Sequence, residues 1–348
     1  MFVIVAVVLT AALIVGATFL FRFVWTDENS RARKSAQNIL LAFFSIWLVL
    51  VGLELFFRFS FAQSDGWNFT LAAEKWSNRY WQVNSLGYRD IEWTSDMLAG
   101  RTKIMVLGDS FVAGHGIEDE DNRFSNVLGQ LLGPDYAVMN VGMSGADTRK
   151  AIENGLGYPH TPDVLVYAFY INDIGDTVVN LGLDPFQVSV PQVPSGLAPL
   201  VEGSYAFNFL YWRVYRLATR EWTASQWDWL LRAYENPEVW QAYESLLLEM
   251  DHFARVKELE LIVVVFPNLL AVEESLAVTS KVAALYRDQG VPVLEVVDLI
   301  EDIPPQQLVV NSVDWHANEF LNQLIAEALY QLILENRIKE ESLLHGQR

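Results

Sequence analysis

The stretch Ile104-Met105-Val106-Leu107-Gly108-Asp109-Ser110-Phe111 decides how this chain is read. Four apolar residues run straight into Gly-Asp-Ser. A short, unbroken apolar run reads as a strand buried on both faces, as in a parallel sheet, and the glycine and small polar residues after it mark a tight turn. In open α/β sheets, ligands bind at the C-terminal ends of the strands. Ser110 therefore belongs at the mouth of a sheet, where a hydroxyl becomes a nucleophile if a base and an oxyanion hole stand nearby.

Outward from this stretch, strands and helices alternate. Strands are expected at Lys103–Leu107, Tyr136–Val141, Val164–Tyr170, Leu261–Phe266 and Val291–Val297. Helices are expected near Arg123–Leu132, Thr148–Gly155, Pro237–Glu258, Glu273–Gln289 and Asn318–Ile338. Such alternation calls for a parallel sheet covered by helices on both faces, so the expected architecture is a flavodoxin-like three-layer α/β/α domain with five strands. The rhythm breaks at about residues 174–236, where Pro191, Pro194 and Pro199 precede a dense aromatic series from Tyr205 to Trp229. A connection this long is either a functional lid or binding element, or a helical subdomain whose aromatics pack on the sheet.

Residues Phe2–Trp25 and Ile39–Phe61 are almost wholly apolar, and each meets the roughly 20-residue requirement for a membrane-spanning helix. The first lacks a basic leader and a small-x-small cleavage site, so it does not read as a signal peptide. The linker between the runs carries Arg31, Arg33 and Lys34, which places it in the cytoplasm by the positive-inside rule. The expectation is a two-helix hairpin in the inner (cytoplasmic) membrane over residues 1–61, with everything after it extracytoplasmic. Glu54 precedes Arg58 by four residues, an ion-pair spacing that reads as anchoring. Residues 62–101 form an aromatic-rich lead-in (Trp67, Trp76, Trp81, Trp93), and residues 102–348 form the α/β domain.

Beyond the hairpin the chain carries 19 basic and 40 acidic residues, a net charge of −21, which argues against nucleic acid as a partner. There are no cysteines, hence no disulfide and no thiolate metal site. No metal-ligand spacing or dinucleotide fingerprint is present, so no cofactor is called for.

Three further loops fall at the same sheet edge as Ser110. Asn140-Val141-Gly142-Met143-Ser144-Gly145-Ala146-Asp147-Thr148 offers backbone amides in a glycine-containing turn, Tyr170-Ile171-Asn172-Asp173 offers a carboxamide, and Asp314-Trp315-His316-Ala317-Asn318 puts an imidazole and a carboxylate on one loop. A hydroxyl, a base with its orienting acid, and preorganised donors are the inventory of acyl transfer. His115, close to Ser110 in sequence, is a less productive base than His316. His160, His252 and His345 read as surface or structural residues, Asp109 as an organiser of its turn, and Arg89 as half of a structural ion pair.

At these residues the chain resembles the SGNH/GDSL hydrolase superfamily, over roughly residues 84–335. The resemblance implies Ser110 as nucleophile, His316 as base and Asp314 as its acid. It also implies an oxyanion hole from the Ser110 amide, the Gly145 amide and the Asn172 side chain. Asn84-Ser85-Leu86-Gly87-Tyr88-Arg89-Asp90 looks like the lead-in of membrane-anchored bacterial members. Two departures stand out: Tyr170 occupies the glycine position of the family's third motif, and the last motif is spaced Asp-x-His rather than Asp-x-x-His. The reading is a membrane-anchored serine esterase acting on an ester of an envelope glycan or a lipid, with a membrane protein as a possible partner. A polysaccharide O-acetyltransferase using the same triad, and a catalytically idle subunit of a membrane complex, are the alternatives.

Overall fold

A computed structural model describes residues 18, 31–186, 192–218 and 220–346. The chain divides into two compact units, one of Met1–Gln63, Asn68–Trp76 and Ser189–Thr219, the other of Ser64–Trp67, Ser77–Val188 and Arg220–Arg348.

The second unit holds a five-stranded parallel sheet built from β1 (Thr102–Gly108), β2 (Tyr136–Gly142), β3 (Val164–Phe169), β4 (Glu260–Val265) and β5 (Val293–Glu295). Its order, β2-β1-β3-β4-β5, is the flavodoxin-like arrangement, in which the switch point between β1 and β3 opens a crevice at the strands' C-terminal ends. Alternation along each strand feeds two separate cores. Met105, Leu107, Tyr167, Val263 and Val265 pack on one side, together with residues of α5 (Thr148–Gly157), α9 (Arg220–Glu235), α10 (Pro237–Val256) and α11 (Val272–Asp288). Ile104, Val106, Val166 and Val264 pack on the other against α4 (Phe124–Leu132) and α12 (Glu319–Gly346). Because both faces are covered, the central strands read as solid apolar runs.

Two differences from the sequence reading have local causes. β5 is three residues long rather than seven, because Pro292 has no amide to donate and the chain turns into 3₁₀ helix at Val296–Leu299. Asp314 and His316 do not lie on a loop. They sit on β7 (Asp314–Ala317), which pairs antiparallel with β6 (Val309–Asn311) in a small second sheet.

The first unit is organised on α1 (Arg31–Leu55), which continues as a π-helical turn over Phe56–Ser60. The stretch Gln37–Ser60 is 24 residues long with a mean hydropathy of 2.5, and only 6% of its most apolar window is buried. Among the described residues this is the one helix long and apolar enough to cross a membrane. The first apolar run, Phe2–Trp25, lies outside the described residues apart from Thr18, so one candidate span stands where the sequence reading places a two-helix hairpin. Helices α7 (Ala198–Gly203) and α8 (Tyr205–Ala218), from the aromatic insertion, belong to this unit. The ion-pair spacing of Glu54 and Arg58 is realised at 2.7 Å, yet Glu54 does more than pair. Its carboxylate also accepts the Ser204 hydroxyl (2.7 Å) and the amides of Tyr205 (3.2 Å) and Ala206 (3.1 Å), so it caps the N-terminus of α8. At the same, C-terminal end of this helix, the Lys75 ammonium, on α2 (Leu71–Tyr80), donates to the carbonyls of Phe57, Arg58 and Phe61.

Candidate active site

β1 ends at Gly108, and the chain turns at once into α3 (Ser110–Ala113), a single helical turn. Asp109 caps it, with its carboxylate accepting the Phe111 amide at 2.9 Å, in keeping with its expected part as organiser of the turn. Gly108 is paired in register with Gly142 of β2, and the Met143 amide donates to the Gly108 carbonyl at 3.1 Å. The loops that follow β1 and β2 are thereby fixed side by side.

Ser110 stands at the start of α3, half-buried, and its Oγ is 2.8 Å from His316 Nε2. On the far side of the ring, His316 Nδ1 lies 2.6 Å from Asp314 Oδ1. An ionised carboxylate accepts only, so Nδ1 carries the proton and Nε2 presents its lone pair to the serine hydroxyl. The strand conformation of β7 accounts for the Asp-x-His spacing. Residues two apart on a strand point to the same face, which a three-residue step would not give here. Trp315, between them, points the other way.

Asp314 is fully buried and is the hub of the site. The Ser64 hydroxyl donates to its Oδ2, and the His316 amide donates to Oδ1 at 3.2 Å. Asn311 ties the acid to Ser64: its Oδ1 accepts the Asp314 amide at 3.1 Å while its Nδ2 donates to the Ser64 carbonyl at 3.0 Å. Burial alone would raise the Asp314 carboxyl, but hydrogen bonding and charge from His316, the charge of His115 and the Ser64 hydroxyl outweigh it and hold the pKa at about 2.

His115, set aside in the sequence reading, is in the site, although the imidazole that reaches Ser110 Oγ is that of His316. Its ring lies 4.6 Å from that of His316, and its Nε2 is 3.8 Å from Asp314 Oδ2. Burial and the neighbouring His316 push its pKa down to about 4, so it is neutral at pH 7. The turn that carries it is propped by Arg89, whose guanidinium donates to the carbonyls of Gly114 (2.6 Å), Ile117 (2.8 Å) and Tyr80 (2.9 Å), with Glu120 3.4 Å away. Arg89 is thus structural, as the ion-pair reading expects. Gly116, at φ +86°, follows His115 and runs so close to the acid that a Cβ there would fall 2.9 Å from Asp314 Oδ2. The ligand atoms of His115, Asp314 and His316 lie within 4.8 Å of one another, a spacing a metal could use. In this conformation both nitrogens of His316 are already engaged by Asp314 and Ser110.

Gly145 and Asn172 lie on the loops after β2 and β3, both exposed. Gly145 has φ +76°, the left-handed conformation glycine favours. Asn172 sits in a 3₁₀ turn, Ile171–Asp173, pinned from below by a buried polar network. Asp173 Oδ2 accepts Thr148 Oγ1 and Tyr167 Oη, each at 3.1 Å, and Tyr234 Oη donates to the Ile171 carbonyl at 3.0 Å. Burial, then the nearby Asp109, hold the Asp173 carboxyl well above the usual range. Tyr170, in the family's glycine position, has φ −131° and ψ 147°, ordinary extended backbone that needs no glycine. Its ring packs on Phe111 at 4.4 Å and does not part Ser110 from His316.

Of these residues, Ser64 and Gly116 carried no sequence signal. Ser64 lies 250 positions from the acid it touches, and a lone serine in an aromatic lead-in matches no motif. The signal for His115 was its place five residues after Ser110, where one helical turn and a Gly-flanked reversal bring it back.

No family model matches this chain, and no curated protein matches it. Solved structures similar to it include a lipolytic protein of the G-D-S-L family from Veillonella parvula (13% identity over 65% of this chain and 94% of that one, TM-score 0.38). Others are the psychrotrophic esterase EstA from Pseudoalteromonas sp. (13% identity, 67% and 97%, TM-score 0.38) and a two-domain esterase active on acetylated mannans (11% identity, 69% and 51%, TM-score 0.42). By their names, these three are one lipolytic protein of the G-D-S-L family and two esterases.

Proposed function

We propose that this protein is a membrane-anchored, extracytoplasmic serine esterase that cleaves an ester of an envelope glycan or lipid. One observation carries the reading: Ser110 Oγ, His316 and Asp314 form an unbroken relay of 2.8 Å and 2.6 Å at the C-terminal edge of the sheet. Ser110 attacks the ester carbonyl while Nε2 of His316 takes its proton, and the buried Asp314 carboxylate stabilises the imidazolium that forms. The amides of Ser110 and Gly145 and the carboxamide of Asn172 receive the developing oxyanion. His316 returns the proton to the leaving alcohol, and water or a sugar hydroxyl then takes the acyl group by the reverse sequence. His115, uncharged, adds no competing positive charge beside the ring. The exposed apolar helix Gln37–Ser60 supports the membrane anchor, and the Lys/Arg-rich linker before it supports an extracytoplasmic site.

The test uses purified full-length protein in detergent, treated with a fluorophosphonate probe and assayed on short and long p-nitrophenyl esters. Covalent labelling and turnover are expected, both abolished in Ser110→Ala. Absence of labelling and of Ser110-dependent turnover with every ester would replace the enzyme reading with that of an idle subunit.

A further inference from the structure

Helix α8 turns an apolar face outward. Leu210, Val214 and Leu217, spaced i, i+4, i+7, are 57%, 57% and 61% exposed. At 100° per residue these three share one side of the helix, and Ala218, also exposed, extends it. The opposite side is the packed one: Asn208 and Trp212 are buried, and Phe209 lies 4.6 Å from Phe57 and 5.3 Å from Phe61. Leu200 on α7, 51% exposed, enlarges the apolar surface. In a soluble protein, contiguous exposed apolar surface of this kind marks an interaction site.

The composition of α8 narrows the partner. In a chain with 43 acidic and 24 basic residues, Tyr205–Ala218 contains no Asp or Glu and two Arg. An apolar face of Leu and Val, flanking aromatics and only cationic charge are the marks of a helix that lies in a membrane interface. The attachment of α8 gives its depth. Glu54, which caps its N-terminus, lies six residues before the end of the apolar stretch Gln37–Ser60, roughly 9 Å at 1.5 Å per residue. A helix that begins there starts below the end of the span, at the level where the π-helical turn that continues α1 exposes Phe56 and Phe59. Burial of the Glu54 carboxylate among four donor groups suits that depth, where an unsatisfied charge would be costly.

We infer that α8 is an interfacial membrane helix, with Leu210, Val214 and Leu217 immersed in lipid beside the C-terminal end of the spanning helix. This inference rests on the membrane-anchored reading of α1. It adds a second point of attachment, one that fixes rotation about the span as well as distance from the bilayer.

The chain has no cysteine, so single cysteines can be placed without background. Nitroxide labels at Leu210→Cys, Val214→Cys and Leu217→Cys in full-length protein, reconstituted in phosphatidylcholine/phosphatidylglycerol vesicles, are read by their accessibility to oxygen and to a water-soluble nickel chelate. Labels at Phe44→Cys on the span and Glu202→Cys, exposed on α7, are the references. Oxygen accessibility above nickel accessibility is expected at 210, 214, 217 and 44, with the order reversed at 202. Nickel-accessible labels on α8 together with a lipid-exposed label at 44 would overturn the inference and leave the anchor standing. Nickel access at 44 as well would remove the anchor itself. Labels on α8 shielded from both reagents would overturn the inference in favour of a protein partner.

Discussion

Ser64→Ala removes one hydroxyl, the one that donates to Asp314 Oδ2. Both residues are buried, at 2% and 0% exposure, so no bulk water replaces the lost donor. A hydrogen bond to a charged group contributes about 1.5–3 kcal/mol net, and one pKa unit corresponds to about 1.4 kcal/mol. The Asp314 pKa should therefore climb from about 2 by roughly one to two units, back toward the unfolded value. A carboxyl depressed in the folded state stabilises the protein above its unfolded pKa, and that stability is lost as pH falls through the folded value. The variant should thus lose about 2 kcal/mol at pH 7, a melting-temperature drop of about 3 °C in detergent. Asp314 stays ionised at pH 7 but is held less firmly against His316, so kcat on p-nitrophenyl acetate should fall about tenfold with KM little changed. Ser64→Thr, which keeps the hydroxyl, should recover most of kcat. If Ser64→Ala kept kcat within about twofold and melted within about 1 °C of the parent, Ser64 would not be a positioning residue for Asp314.

Other outcomes follow from neighbouring groups. His115 faces His316, Asp314, Asp65 and Arg89, and its pKa of about 4 against an ordinary 6.5 means the unfolded chain binds the extra proton between those values. Its contribution therefore rises by about 3 kcal/mol as pH increases from about 4 to 6.5. Asp109, pushed up to about 6 by burial, contributes the opposite slope between about 3.8 and 6. His115 opposes the falling slopes of Asp109 and Asp173 in the parent, so His115→Phe should lose stability more steeply than the parent as pH rises from about 4 to 6. A thermal-unfolding series with parallel pH dependence in both proteins would contradict this. Gly116→Ala should cut kcat by about tenfold or more and destabilise by about 1–3 kcal/mol, because φ is positive there and the new methyl presses on Asp314 Oδ2. Equal activity and melting temperature in Gly116→Ala would show that the turn can give way.

Much of this architecture is written in local pattern. The apolar runs that become β1 to β4 are continuous because each strand is covered on both sides, and their Gly or small-polar ends put the loops on one edge. That pattern puts Ser110, Gly145 and Asn172 on the loops that follow β1, β2 and β3. What the pattern could not carry is contact between distant segments. Ser64 meets Asp314 across 250 residues, a matter of tertiary path rather than spacing. The Asp-x-His step is explained only by the β6–β7 pair, too short at three and four residues to announce itself by alternation. Tyr170 shows a different limit. Its extended backbone, φ −131°, needs no glycine, and the sequence does not display φ.

Glu54 has a consequence for the making of the protein. It leaves the ribosome 150 residues ahead of Ser204, and the donors at 204–206 that satisfy its carboxylate do not exist when its helix is first made. At roughly 5–20 residues per second, that interval is about 8–30 s. Through it, Arg58, one helical turn away, is the partner at hand, so the nascent helix carries a self-neutralised pair. Only later is the pair claimed by an insertion encoded halfway along the gene. Translation speed across residues 54–206 thereby sets how long the Glu54 carboxylate waits for its remaining donors.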